Sequence, residues 1–138
     1  MHCKINMVKV CLAYIFNEDG EVLLAKRASD KHFGGLWEFA GGKIKDDETV
    51  AEAIARELFE ELCVYVNVEK VFNPYQFMLD DRTVLEFYPC HCSIKEGQLI
   101  PTEHQALEYV PIEGINHYEL APPDYEALQI LRTYVQRG

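Results

Sequence analysis

The stretch from Glu48 to Leu62 constrains the fold most, because it contains neither Gly nor Pro and its apolar residues recur with a helical period. Projected at about 100° per residue, the apolar side chains share one arc, made of Ala51, Ile54, Ala55, Leu58 and Leu62. An arc of this kind must face a core. The sequence therefore predicts an amphipathic helix packed against other elements of the fold.

Length and charge limit the classes of protein that this chain can belong to. Its 138 residues, 49% of them hydrophobic, are enough for a single domain over 1–138 with a core of its own. Lys and Arg number 13 against 23 Asp and Glu, for a formal net charge of −10. Because binding to duplex phosphates needs a basic face, we expect no nucleic-acid polymer as a partner.

Cysteine usage and the N-terminus bear on location. The five cysteines are odd in number and irregularly spaced, which favours reduced thiols and a cytoplasmic protein over a disulfide framework. No apolar run is long enough to span a membrane, and Lys9 interrupts the first apolar stretch. We therefore expect neither a secretory leader nor a membrane partner, and the sequence leaves the oligomeric state open.

Several further elements can be predicted along the chain. Strands at 7–16 and 21–26, joined by the turn residues 17–20, predict a β-hairpin. A Tyr88–Pro89 pair inside a predicted strand at 83–94 indicates a bend or an edge position. The remaining predictions are an extended segment at 36–40, a polar loop at 43–47, strands at 64–71 and 105–110, and a helix at 124–135 with Asp124 as a plausible N-cap.

Three carboxylates lie beside the apolar arc of the first helix, at (i, i+3) and (i, i+4) spacing: Glu57, Glu60 and Glu61. At this spacing they repel one another by a few tenths of a kcal/mol per pair, and a divalent cation would turn that repulsion into binding. Hard oxygen ligands suit Mg²⁺ or Mn²⁺, which bind through a few carboxylates together with substrate phosphates.

A solvated helix face is the alternative interpretation of these acids. In it, Glu52, Arg56 and Glu60 form an (i, i+4) ladder of acid, base and acid, as exposed helices often do. Glu61 argues for the metal site, because it borders the apolar arc, where a purely solubilising carboxylate is costly to bury.

The order Gly42, five residues, Glu48, seven residues and then the segment 56–64 resembles the signature of the Nudix hydrolases. The match covers 23 positions and departs from the family pattern once, at Cys63, where the family has Gly. That Gly ends the helix in a left-handed conformation, so Cys63 is expected to cost about 1 kcal/mol or to shift the cap. We call residues 42–64 the Nudix box.

Similarity to the MutT branch of the family extends beyond the box, through Arg27 and the segments 35–43, 103–105 and 120–124, and is greatest for the CTP pyrophosphohydrolase type. The resemblance implies an α+β fold, an α/β/α sandwich with a central mixed β-sheet, a box helix and a C-terminal helix. It also implies hydrolysis of a nucleoside triphosphate to a monophosphate and pyrophosphate.

The resemblance also implies a set of site residues. The metal, Mg²⁺ with Mn²⁺ as an alternative, would be held by the Gly41 carbonyl, Glu57, Glu60, Glu61 and Glu103. Glu57 would help to take the proton from the attacking water, while Arg56 and Glu48 would orient the loop and helix. For the base, the resemblance points to Asp124, with Glu38, Tyr75, Phe77 and Arg82 as further wall candidates.

The residue types add two expectations. Arg27 and Lys43 are candidates to offset phosphate charge, although a lone cation is more often a solvated surface residue. A carboxylate at 124 accepts hydrogen bonds from amino groups, which suits the exocyclic amine of cytosine or adenine. Its role as an N-cap is an equal alternative.

Three other kinds of site are not supported. A P-loop would need Gly at 37 and Ser or Thr at 44, where the chain has Trp37 and Ile44. Cys90 and Cys92 alternate with His91 on a predicted strand, without a second Cys pair at zinc-site spacing. The serines lie outside any nucleophile elbow.

Two functions of different class remain. The first is a metal-dependent pyrophosphohydrolase acting on (d)CTP, related pyrimidine nucleotides or oxidised purine nucleotides such as 8-oxo-dGTP. The second is a nucleotide-binding regulatory module without turnover, for which Cys63 is the motivating residue.

Overall fold

The computed structural model describes residues 4–137, which form two β-sheets, two α-helices and a short 3₁₀ helix. None of the described helices is long and apolar enough to cross a membrane. The elements in chain order are β1 (Asn6–Ile15), β2 (Val22–Lys26), β3 (Trp37–Glu38), β4 (Gly41–Lys43), α1 (Val50–Leu62), β5 (Tyr65–Val71), β6 (Tyr75–Asp80), β7 (Thr83–Glu96), β8 (Ala106–Val110), the 3₁₀ helix (Ile112–His117) and α2 (Asp124–Arg137).

The larger sheet is mixed. Strand β1 lies between β4 and β7, and both β5 and β6 pair with the long strand β7. The β1–β7 pair is parallel, whereas β4, β5 and β6 join antiparallel. A smaller antiparallel sheet has the order β3-β2-β8.

Alternate residues of β1 enter two separate hydrophobic cores, as the period of two along a strand requires. Leu12 and Tyr14 pack in the core that contains Leu131 of α2. Cys11 and Ala13 pack in the core that contains residues of α1, among them Ile54, Leu58 and Leu62. The larger sheet therefore lies between the two helices, and the predicted α/β/α sandwich with a central mixed sheet is confirmed.

The predicted hairpin at 7–26 is wrong. The turn forms, with Gly20 at φ 76° and an Asn17–Glu21 backbone hydrogen bond of 3.0 Å, but pairing stops at one bridge between Phe16 and Val22. Beyond it the two strands separate into different sheets. Each strand pairs over more residues with another strand, β1 with β7 and β2 with β8, and local turn chemistry cannot reveal those partners.

Pro89 lies in a central strand, so the edge position considered for it is wrong. Tyr75 of β6 is paired with Phe87, and Val71 of β5 with Cys90. Pro89 therefore lies where the neighbour of β7 changes from β6 to β5. A residue without an N–H is tolerated at such a gap, and its carbonyl still accepts from the Phe72 N–H at 2.9 Å.

The cysteines that the structure describes are free: Cys11, Cys63, Cys90 and Cys92. Cys3 lies outside the described residues. Cys90 and Cys92 are fully buried in the core that contains α1, and burial raises the pKa of Cys92 to about 12. His91 points the other way, with Nδ1 2.8 Å from the Tyr134 hydroxyl of α2. His91 and the two cysteines therefore lie on opposite faces of the strand.

Candidate active site

A cavity of about 330 Å³ opens beside β1 and is lined by both apolar and charged side chains. Its apolar wall comes from neighbouring strands, because the parallel register places Val8 beside Leu85 and Val10 beside Phe87. The charged residues that line it are Arg27, Lys31, Glu38, Lys43, Glu61, Glu103 and Asp124. Its size falls within the range usual for small-molecule sites.

Helix α1 has well-defined ends, which fixes the positions of its carboxylates. Thr49 is the N-cap and forms a reciprocal capping box with Glu52, so the helix begins two residues later than predicted. At the other end Cys63 adopts φ 61° and ψ 29°, and its N–H donates to the Phe59 carbonyl at 3.0 Å. The left-handed cap expected of a Gly is thus retained by Cys63, and the cap is not shifted.

Arg56 ties the helix to the preceding loop. Its Nε and Nη2 donate to the two carboxylate oxygens of Glu48 at 2.6 and 2.8 Å, and Nη2 also donates to the Lys43 carbonyl at 3.0 Å. This bidentate contact lowers the pKa of Glu48 to about 2. Nη1 reaches the other side, with Glu57 at 2.8 Å and Glu60 at 3.0 Å. Arg56 therefore orients both the loop and two of the predicted ligands.

Gly42 is required by the close approach of Glu57. A Cβ at this position would stand 2.0 Å from Oε2 of Glu57, so any side chain would displace the carboxylate. Gly41 is equally confined, since its Cβ would lie 1.9 Å from the Cys11 carbonyl oxygen. The two glycines let strand β4 run directly between β1 and the acidic face of α1.

Glu61 is the most buried acid of the helix. Burial, followed by the nearby charges of Glu57, Glu38 and Glu103, raises its pKa to about 8, against the opposing effect of the Gly41 N–H. Its Oε1 is buried and has no hydrogen-bond partner among residues 4–137. A buried carboxylate oxygen of this kind is costly unless something else binds it.

Glu103 reaches the same region because its loop docks on the end of α1. The Thr102 N–H donates to the Glu61 carbonyl at 2.9 Å, and the Thr102 hydroxyl donates to that of Glu60 at 2.9 Å. The Ile100 N–H donates to the Leu62 carbonyl at 2.9 Å. These contacts satisfy carbonyls that a helix end would otherwise leave unpaired, and they place Glu103 next to the helical acids.

The acidic residues Glu57, Glu60, Glu61 and Glu103 have the chemistry to bind a divalent cation, although their side chains do not surround one point in this structure. Within 4–137, no three His, Cys, Asp or Glu side chains converge as metal ligands, since Arg56 holds Glu57 and Glu60 on its own Nη1. Glu61 Oε1, however, is buried without a partner among the described residues, and the neighbouring charges that act on Glu61 are the carboxylates of Glu57, Glu38 and Glu103. Such a set matches Mg²⁺, which binds through few protein ligands and completes its shell with water and phosphate.

Glu38 links two other cavity residues, and each of its oxygens is engaged. Oε1 accepts from Nη1 of Arg27 at 2.7 Å, and Oε2 lies 2.9 Å from Nε2 of His104. Arg27 Nε also donates to the His32 carbonyl at 2.7 Å. The charge of Arg27 is therefore largely offset by Glu38. Lys43, by contrast, has no carboxylate within 4 Å among the described residues.

Asp124 lines the same cavity and is buried, with only 4% of its surface exposed. It is the first residue of α2, so it is not the predicted N-cap, and its Oδ2 accepts instead from the Phe39 N–H at 2.8 Å. Burial and the charge of Glu38 raise its pKa well above the usual value. The hydroxyl of Tyr75, which donates to the Pro123 carbonyl at 2.8 Å, fixes the start of the helix.

Not every predicted residue reaches the cavity. Arg82 lies in the exposed turn before β7, where its N–H donates to Asp80, and it does not line the cavity. Tyr75 and Phe77 pack with the core that contains α2 instead of forming a wall. The residues brought together are Arg27, Glu38, Gly41, Lys43, Glu61, Glu103 and Asp124, with Arg56, Glu57 and Glu60 on the adjoining helix.

Sequence reasoning missed part of the lining. Lys31, His32 and Phe33 enter from the loop between β2 and β3, and the apolar wall comes from β1, β6 and β7. His104 is inside the cavity wall although no role was assigned to it. The (i, i+2) spacing of apolar residues predicts which residues of one strand share a face. It does not predict which strands are neighbours, so the apolar wall could not be predicted.

Known proteins are similar to this chain in sequence. The chain is 37% identical over 123 residues to a CTP pyrophosphohydrolase of Escherichia coli, covering 89% of this chain and 90% of that protein. It is 28% identical over 132 residues to an 8-oxo-dGTP diphosphatase of the same species, covering 91% and 96%.

Solved structures show the same architecture. The solution structure of the E. coli ORF135 protein superposes with a TM-score of 0.76 at 35% identity, covering 93% of this chain and 92% of that one. The crystal structure of a MutT protein from Methanosarcina mazei superposes with a TM-score of 0.82 at 22% identity, covering 99% and 100%. The sequence model of the NUDIX domain matches residues 6–131. Taken with the box helix and its acidic face, that match makes this chain a member of the Nudix hydrolase family.

Proposed function

We propose that the protein hydrolyses a nucleoside triphosphate to the monophosphate and pyrophosphate in the presence of Mg²⁺, with (d)CTP or a related pyrimidine nucleotide as the preferred substrate. The observation that carries the proposal is one cavity that is lined both by Glu61 of the box and by the buried Asp124. We call the group of residues around the box acids the box end and the group around Asp124 the Asp124 end. Such a cavity can hold a triphosphate and a base at the same time.

The box end would hold the metal through Glu57, Glu60, Glu61, Glu103 and the Gly41 carbonyl, with Mn²⁺ able to replace Mg²⁺. A bound divalent ion supplies charge for the phosphates and lowers the pKa of a bound water. It is needed because this end of the cavity is acidic and a triphosphate would otherwise be repelled.

In the reaction that we propose, the water oxygen gives up a proton and bonds to one phosphorus of the α–β bridge. The bond from that phosphorus to the bridging oxygen breaks, and the nucleoside monophosphate and pyrophosphate are released. We assign the acceptance of that proton to Glu57, whose carboxylate lies against Gly42, a residue of the cavity lining, and whose carboxyl pKa is raised by burial. Arg56 keeps the carboxylate oriented through its 2.8 Å contact. Lys43 adds positive charge for the phosphates, because it has no carboxylate partner in the described part of the chain.

Asp124 would recognise the base. In its ionised form it accepts a hydrogen bond from an exocyclic amine, as on cytosine. The 37% identity to a CTP pyrophosphohydrolase supports the same preference. Glu38, by contrast, has both oxygens engaged, so we assign it to holding Arg27 and His104 rather than the base.

A second candidate substrate is an oxidised purine nucleotide such as 8-oxo-dGTP. The observation in its favour is the raised pKa of Asp124, since a protonated carboxyl donates to a ring carbonyl instead of accepting from an amine. The 28% identity to an 8-oxo-dGTP diphosphatase points the same way. The mechanism would be unchanged and only the nucleotide would differ.

A panel of normal, methylated and oxidised (d)NTPs, together with nucleotide sugars, tests the proposal. The readout is pyrophosphate and monophosphate release with Mg²⁺ and with a chelator. Preferential cleavage of cytidine nucleotides supports the first candidate, and preferential cleavage of 8-oxo-dGTP supports the second. Absence of turnover on every triphosphate would reject both and favour a nucleotide-binding module.

The proposal places the enzyme in a reducing compartment such as the cytoplasm. Cys11, Cys90 and Cys92 are buried and free, and secreted proteins of this size more often use their cysteines as disulfides. The partner is the nucleotide itself.

A further inference from the structure

Phe33 has a left-handed backbone, with φ 59°, in the loop between β2 and β3. Aromatic residues seldom adopt this conformation, because their Cβ crowds the backbone. The loop enforces it through two contacts of Arg27: its Nε donates to the His32 carbonyl at 2.7 Å, and its carbonyl accepts from the Gly35 N–H at 2.9 Å. Phe33 is thus held in an unfavourable conformation by its surroundings.

The packing of the hydrophobic cores does not explain why residue 33 is aromatic. Among the described residues, Phe33 belongs to neither hydrophobic core and packs against neither of them. Its ring makes an edge-to-face contact with His32 of the same loop, with centroids 4.3 Å apart, and His32 is itself exposed. A polar residue that tolerates the left-handed region, such as Asn, would therefore serve the fold at least as well.

Phe33 instead lines the cavity. Phe33 shares that cavity with the apolar wall residues Val10 and Phe87 and with Asp124. Residues held in sparsely populated backbone conformations cluster at ligand sites, where the side chain is required in one place. An aromatic ring offers no hydrogen-bond donor to a phosphate, but it offers a flat apolar face to a nucleobase.

We propose that Phe33 is a substrate-contacting residue whose ring packs against the nucleobase. This inference rests on the proposed function, because it assumes that a nucleotide occupies the cavity. Phe33 would then add to the affinity for the nucleoside part of substrate and product, while leaving the pyrophosphate part to the box residues.

Two variants separate the ring from the backbone. Phe33→Asn removes the ring and keeps a residue suited to φ 59°, and Phe33→Tyr keeps the ring. We expect Phe33→Asn to raise KM for the preferred triphosphate about tenfold, the size expected when one base–aromatic contact is lost. Phe33→Tyr should stay within about twofold of the unchanged protein, and the Tm of Phe33→Asn should not fall.

Product binding distinguishes a contact between Phe33 and the base from a merely structural role of Phe33. Calorimetric titration with the nucleoside monophosphate and with pyrophosphate, both with Mg²⁺, should show about tenfold weaker monophosphate binding by Phe33→Asn and unchanged pyrophosphate binding. Tyr65→Asn is the matched control, since it removes the aromatic ring of a residue that is 51% exposed and that does not line the cavity. It should leave both affinities unchanged.

The inference is overturned if Phe33→Asn binds the monophosphate as the unchanged protein does, or if it loses pyrophosphate affinity and Tm in parallel. Failure of the proposed function gives a different pattern. If the unchanged protein cleaves no triphosphate but binds CMP or dGMP, and Phe33→Asn binds it tenfold more weakly, the proposed reaction fails and the role of Phe33 stands. If the unchanged protein binds neither monophosphate, the role of Phe33 falls.

Discussion

The two ends of the cavity are built in different ways. At the box end, Arg56, Glu57, Glu60 and Glu61 come from one helix, and their spacing along the sequence is their spacing in space. At the Asp124 end, each contributor comes from a different element, including the loop that carries Phe33 and the strands that carry Val8 and Leu85. The proposed catalytic residues are therefore encoded locally, whereas the residues proposed to select the nucleotide are brought together by tertiary contacts.

This difference predicts two kinds of mutational effect. Changes at the box end should lower kcat for every nucleotide in the same proportion, because they alter the reacting phosphates. Changes at the Asp124 end should alter the ratio between nucleotides.

Glu57→Gln should give the largest loss. Removing the carboxylate proposed to accept the proton is expected to lower kcat about 10²- to 10⁴-fold for all nucleotides alike. Steady-state kinetics on two different triphosphates measures this, and Glu18→Gln in the exposed turn after β1 is the control. If Glu57→Gln lowered turnover of one nucleotide and spared another, the division between the two ends would be wrong.

Arg56→Lys should come next. A lysine cannot reproduce the fork that holds Glu48 and the Lys43 carbonyl on one side and Glu57 on the other. We expect about tenfold lower kcat together with a lower Tm, because the loop and helix lose their connection. Thermal unfolding and kinetics on the same preparation test this. A fall in kcat with an unchanged Tm would show that Arg56 acts on the substrate and not through the loop.

Asp124→Asn should change selectivity. The Asn oxygen can still accept from the Phe39 N–H, so the start of α2 is retained, but the hydrogen bond to the base is altered. We expect kcat/KM for the preferred nucleotide to fall about tenfold or more relative to a nucleotide that lacks the matching group. Competition between two triphosphates in one reaction gives the ratio directly. An equal loss for both would remove Asp124 from base recognition.

The same substitution should raise stability at neutral pH, although it lowers kcat/KM for the preferred nucleotide. The pKa of Asp124 is raised in the folded state, so the folded chain binds more protons than the unfolded chain between the ordinary value of 3.8 and the raised one. Stability therefore falls as pH rises through that window. Asp124→Asn should be more stable than the unchanged protein at pH 7 and no more stable below about pH 4. Urea denaturation at several pH values measures it; a constant difference would contradict the burial argument.

Cys63→Gly should have the smallest effect. The left-handed cap is already formed with Cys63, so Gly removes a steric cost without moving the helix, and the gain is about 1 kcal/mol. Tm should rise by a few degrees and kcat should not change. A large rise in kcat would show instead that Cys63 had displaced the box carboxylates.

How much could be predicted from the sequence follows the same division. The box helix, its acidic face and the proximity of Glu61 to the core follow from the period of one segment. The hairpin failed because strand partners are set by tertiary packing, and β1 pairs with β7, which lies about 70 residues further along the chain. The prediction that Arg82 lines the cavity was wrong for the same reason, since Arg82 lies between two strands of the sheet but in an exposed turn. The left-handed backbone of Phe33 could not be predicted, because the two glycines that follow it indicate only a flexible loop.

The most direct test of the account is the identity of the products that this protein releases from CTP and from 8-oxo-dGTP with Mg²⁺, measured beside Glu57→Gln. We predict nucleoside monophosphate and pyrophosphate in equal amounts from the unchanged protein, no orthophosphate, and a loss of about 10² or more in the variant for both nucleotides. Orthophosphate as the product, or equal turnover by Glu57→Gln, would contradict the central claim that the box acids catalyse pyrophosphohydrolysis in this cavity.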